Sequence, residues 1–84
     1  MLQAIETRYL AATATRGARV KAMSASGIHF TAPYDHALSD ADNATAAARE
    51  LAKQLAWAGE FRGGATKGGY VFVQAHAAAF TVEA

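Results

Sequence analysis

Ser39-Asp40-Ala41-Asp42-Asn43-Ala44-Thr45-Ala46-Ala47-Ala48-Arg49-Glu50-Leu51-Ala52-Lys53-Gln54-Leu55-Ala56-Trp57 is the stretch that decides the fold, because it carries a helical period. Ala44, Ala48, Leu51 and Leu55 recur at three- and four-residue intervals and share one helix face. Arg49, Glu50, Lys53 and Gln54 crowd the other side. Ser39 followed by Asp42 reads as a capping box with Asp in place of Glu, and Asp40 and Asp42 suit the positive end of the helix dipole. The spacing predicts a helix over 40–57, ended by Gly59 in a left-handed conformation.

Outward from the helix, both flanks alternate with the period of a strand. On the N-terminal side, Ile5, Thr7 and Tyr9 oppose Ala4, Glu6 and Arg8 in a strand over 3–10. Val20 and Ala22 oppose Arg19 and Lys21 in a second strand over 19–24. Ala25-Ser26-Gly27 then reads as a hairpin turn. Ile28, Phe30, Ala32 and Tyr34 oppose His29, Thr31 and Pro33 in a third strand, with Pro33 suited to a strand end or an edge. On the C-terminal side, Glu60-Phe61-Arg62 reads as a short strand. Gly63 to Gly69 reads as a flexible glycine-rich turn. Tyr70 to Ala75 is a strand rich in aromatic and β-branched residues. Phe80 to Val82 reads as a last edge strand or a tail. Strands grouped on both sides of one helix predict an α+β fold: an antiparallel sheet of four to five strands, order βββαββ, with the helix on one face. The other face is then open to water.

At 84 residues the chain is read as one domain. About half of it is apolar, but alanine buries little area, so large side chains must supply the core. The candidates are Ile5, Leu10, Val20, Ile28, Phe30, Leu51, Leu55, Trp57, Phe61, Val71, Val73, Phe80 and Val82. The formal charge of +1 is neither the excess of a dedicated nucleic-acid protein nor the acidity of a nucleic-acid mimic. With no cysteine, disulfides and thiolate metal sites are excluded, and a reducing cytoplasm is expected. No run approaches the roughly 18 apolar residues of a membrane span, and the N-terminus lacks a signal-peptide pattern.

Few residues point to chemistry. Gly63 to Gly69 lacks the Gly-Lys-Ser/Thr ending of a phosphate loop and leads into a strand, so it is read as a hairpin loop in which Lys67 could hold an anion. His29, His36 and His76 lack the short spacing of a metal site. Asp35-His36 before the helix is the only candidate acid–base pair, and such loop residues usually serve turns. No nucleophile elbow, catalytic carboxylate pair or cofactor motif is present. The stronger feature is electrostatic. Arg8, Arg19, Lys21 and His29 all fall on the sheet face opposite Ile5 and Val20. That places a basic stripe on the open side, with Glu6 partly cancelling it.

Two resemblances add to this reading. Gly69-Tyr70-Val71-Phe72-Val73 resembles the aromatic signature strand of RNA-recognition motif domains, which implies that Tyr70 and Phe72 stack on bases. The basic residue stands early, at Lys67, Ala75 replaces an aromatic, and the helix between that fold's first two strands is missing. Second, Ala4-Ile5-Glu6-Thr7-Arg8-Tyr9-Leu10, Thr15-Arg16-Gly17-Ala18-Arg19-Val20-Lys21-Ala22, Pro33-Tyr34-Asp35-His36-Ala37-Leu38 and Thr66-Lys67-Gly68-Gly69-Tyr70-Val71-Phe72-Val73 resemble small uncharacterised proteins of bacterial phages and mobile elements. The similarity spans residues 2–73. It implies an accessory protein, such as an anti-CRISPR-like inhibitor of host defence, and supplies no catalytic residue.

The expected function is therefore non-enzymatic binding of a protein partner, with no cofactor, no metal and no membrane. The candidate binding residues are Arg8, Arg19, Lys21, His29, Arg62, Lys67, Tyr70 and Phe72. The alternative is a nucleic-acid-binding module using the same basic face. A homodimer is compatible with either.

Overall fold

The computed structural model describes residues 4–75. The chain folds as β1 (Ala4–Leu10), β2 (Arg19–Ser24), β3 (His29–Pro33), α1 (Asp40–Gln54), β4 (Phe61–Thr66) and β5 (Gly69–Gln74). The strands form one antiparallel sheet of order β3-β2-β1-β5-β4, so β1 is central and β3 and β4 are the edges. The α+β class and the βββαββ order are those the alternation predicts. The edges β3 and β4 run in the same direction, and α1 is the crossover between them. The strand expected over 80–82 lies outside the described residues.

Register sorts the side chains by face. Ile5 pairs with Ser24 and Phe72, Thr7 with Ala22 and Tyr70, and Val20 with Ala32. These residues form the face that meets the helix. The core there is small: Ile5, Val20 and Ala22 from the sheet pack against Ala47, Ala48, Leu51 and Ala52 of α1. Alanine lets the helix backbone approach closely, and Leu51 and Ile5 are the largest fully buried side chains. The helix lies over β2 with β1 and β3 beside it, and touches β5 least of these strands.

Local chemistry fixes the helix ends. The Ser39 hydroxyl accepts from the Asp42 N–H at 3.1 Å, as the capping pattern predicts. The C-terminus differs from the expectation. The helix ends at Gln54 with Leu55 as its C-cap, short of Trp57, and Ala56, at φ 58°, takes the left-handed conformation that closes it; Gly59, at φ 104°, lies beyond that closure. The Ala56 N–H donates to the Lys53 carbonyl and the Trp57 N–H to the Ala52 carbonyl at 2.9 Å, a Schellman closure. An alanine in that conformation costs roughly 1 kcal/mol, offset here by two carbonyls gaining donors. Asn43, a residue the helical pattern did not single out, is buried. Its side-chain amide donates to the carbonyls of Asp35, Leu38 and Ser39, and its oxygen accepts from the Asp35 N–H at 2.8 Å. This one side chain staples the β3–α1 connection to the helix.

Four residues of the expected core, and the expected glycine-rich loop, are placed differently. Ile28 is half-exposed in a turn, since β3 begins only at His29. Leu10, Val71 and Val73 project from the uncovered face, because their neighbours Tyr9, Tyr70 and Phe72 are the ones on the helix side. The Gly63 to Gly69 loop does not exist as such. Gly63 to Thr66 belong to β4, and only Lys67 and Gly68 form the turn, with Gly68 at φ 90°. Gly69 is where this hairpin joins the central strand opposite Arg8, and a β-carbon there would run into the Thr7 carbonyl. Gly69→Ala is therefore expected to loosen the β1–β5 pairing and to lower stability by about 1–3 kcal/mol in thermal or urea unfolding. Gly64→Ala, where a β-carbon meets open space, should change it by less than about 0.5 kcal/mol.

Candidate partner-binding face

The face away from the helix can be read row by row from the register. Arg19 stands between Leu10 and Pro33. Lys21 stands directly between Arg8 and Thr31, and Arg8 is flanked in turn by Gly69. The next row runs His29, Met23, Glu6, Val71, Gly64. The last runs Ala4, Val73, Arg62. Four of the predicted residues, Arg8, Arg19, Lys21 and His29, are thus brought onto one surface, and Arg62 joins them across β5. Lys67 stands apart, in the exposed hairpin turn beyond Thr66.

Two zones emerge. Toward the Leu10 end the face is cationic. Arg8 and Lys21 are direct cross-strand neighbours, a like-charged pair that opposes folding by a few tenths of a kcal/mol to about 1. Arg19 is held by its own Nε–H donating to the Gly17 carbonyl at 3.2 Å. Toward the Ala4 end, Met23, Val71 and Val73 are half-buried and apolar. Glu6 stands inside this zone, directly between Met23 and Val71, so its cross-strand partners are apolar and not cations.

Tyr70 and Phe72 do not belong to this surface. They share a face, as two-residue spacing requires, but it is the helix side: Tyr70 pairs with Thr7, which is buried and donates its hydroxyl to the Tyr70 carbonyl. The two rings therefore cannot stack bases on the basic side. What selects the face is Ile5 and Thr7 beneath the helix, which set the phase of β1 and hence of its partner β5.

Asp35 and His36 are not arranged as an acid–base pair. The Asp35 carboxylate accepts from the Ala37 N–H at 2.9 Å in a turn. The His36 ring meets the Tyr34 ring at 5.1 Å, and Tyr34 meets Tyr9 edge-on at 5.4 Å. No cluster of three or more His, Asp or Glu among the described residues could hold a metal ion. No helix among the described residues is long and apolar enough to cross a membrane.

The Tyr34 hydroxyl donates to the Asp40 carboxylate, and this bond, with the nearby negative charge, raises the phenol above its ordinary 10.0. A raised folded-state value means the bond's contribution is intact below pH 10 and is lost as pH climbs through the folded value. In an ultraviolet phenolate titration, one of the three tyrosines should ionise later than the others. Asp40→Asn should bring it back into line. No protein-family model, curated protein or solved structure matches the chain.

Proposed function

We propose that this chain is a small non-enzymatic binding protein that docks on an acidic patch of a protein partner through the bare face of its sheet. The observation that carries this is the pairing of Arg8 with Lys21 beside the apolar group Met23, Val71 and Val73 on one uncovered surface. Two adjacent cations held in register without an intervening acid are relieved by an anionic partner. Apolar residues beside charged ones on one surface suit a protein interface, which combines an apolar core with a polar border. The turning away of Tyr70 and Phe72 favours a protein over single-stranded nucleic acid, because stacking platforms are what such binding uses. The resemblance to phage and mobile-element proteins supports a partner from a bacterial host. An inhibitor of host defence acts by covering a working surface, and a sheet face held by four strand pairings is rigid enough to do so. The turn role of the Asp35 carboxylate supports a binding rather than a catalytic reading.

The test is capture of a host protein by the tagged chain, with and without nuclease, beside the double variant Arg8→Glu/Lys21→Glu. A nuclease-resistant partner should be retained by the natural sequence and bound at least about tenfold more weakly by the variant. Capture abolished by nuclease would instead support the nucleic-acid reading. Capture unaffected by the charge reversal would remove this face from the account.

A further inference from the structure

The helix side holds a second surface, independent of the basic face. Because α1 sits over β1 to β3, it leaves a groove between itself and the β4–β5 hairpin, with a volume of about 800 Å³. That lies within the roughly 300–1,000 Å³ of small-molecule sites. Phe72 and Phe61 form its floor, Ala48 and Ala52 its helical wall, and Trp57 closes the end where the Schellman turn brings the chain around. Gly63 has a specific part. A β-carbon there would come within 2.5 Å of the Phe72 ring, so the absence of a side chain lets that ring lie across β4. The part of these half-buried rings that faces the groove favours an apolar occupant.

Charge narrows the choice. Arg49 and Lys53 are the charged side chains among the described residues that line the groove, and both are cations. They stand four residues apart on one flank of the helix, above an apolar floor. An uncharged ligand would leave them idle. A carboxylate would gain charge-assisted hydrogen bonds from both. We infer that the groove binds a hydrophobic carboxylate, its apolar body against Phe61, Phe72 and Trp57 and its acid group between Arg49 and Lys53.

Trp57 is the single tryptophan of the chain, so it reports occupancy directly. The natural protein should show a saturable shift of Trp57 emission on titration with dodecanoate. Dodecanol, matched in chain length but uncharged, should bind at least about tenfold more weakly. Arg49→Gln/Lys53→Gln substitutes two exposed helix residues and should retain the fold by circular dichroism while weakening dodecanoate by a similar factor. Arg8→Glu/Lys21→Glu should leave the titration unchanged, which separates this site from the basic face. The inference is overturned by a shift that does not saturate, by equal affinity for acid and alcohol, or by indifference to the Arg49 and Lys53 changes. It is equally overturned if sedimentation shows a second copy of the chain occupying the groove in the absence of ligand.

Discussion

One helix has to cover a sheet that is too wide for it. Neighbouring strands lie about 4.8 Å apart, so the two edges of a five-stranded sheet are roughly 19 Å apart, whereas a helix is about 10–12 Å across. Here the mismatch is resolved by docking α1 to one side, over β1 to β3, where Ala47, Ala48 and Leu51 meet Ile5, Val20 and Ala22. That docking decides which surfaces the described elements leave open. Among the described residues no element packs on the sheet face opposite the helix, and the helix covers the β4–β5 hairpin least.

The two bare surfaces have different chemistry because strand alternation separates them. On β1, Ile5 and Thr7 go under the helix while Glu6 and Arg8 go out. On β5, Tyr70 and Phe72 go toward the helix side while Val71 and Val73 go out. The outward face carries Arg8, Arg19, Lys21 and Arg62 against Glu6, a formal +3, while the whole chain is only +1. The other described residues are net acidic, with Asp35, Asp40, Asp42, Glu50 and Glu60 against Arg16, Arg49, Lys53 and Lys67, and the three aspartates are gathered around the helix N-terminus. The aromatics go the other way, to the groove. Two chemically distinct surfaces on one small fold need no added element, only a sheet in which odd and even positions face opposite ways.

Much of this was legible in the residues. The three N-terminal strands, their faces, the helix start at Ser39 and the βββαββ order follow from period and capping chemistry, and so does the grouping of Arg8, Arg19, Lys21 and His29. What was not legible depended on tertiary context. Glycine at positions 63 and 64 reads as loop by local propensity, yet pairing with β5 holds both in a strand. Symmetry about Lys67-Gly68, with six residues on either side, was the signal for a tight hairpin there. The face taken by Tyr70 and Phe72 could not be chosen from β5 alone, since Val71 and Val73 are equally suited to a core; the register with β1 decides it. Asn43 has the ordinary appearance of a polar residue in a first helical turn, and only the folded β3–α1 connection gives it four hydrogen bonds, with Asp35, Leu38 and Ser39.

No described element packs on the sheet face opposite the helix. The chain has no cysteine, so single cysteines placed at chosen positions report accessibility without background. Arg8→Cys, Met23→Cys and Val71→Cys should be alkylated by a small reagent at rates within about tenfold of an unfolded thiol, while Ala22→Cys and Ala48→Cys, beneath the helix, should react at least about a hundredfold more slowly. If Met23→Cys and Val71→Cys prove as protected as Ala22→Cys, that face is covered and cannot serve as a docking surface.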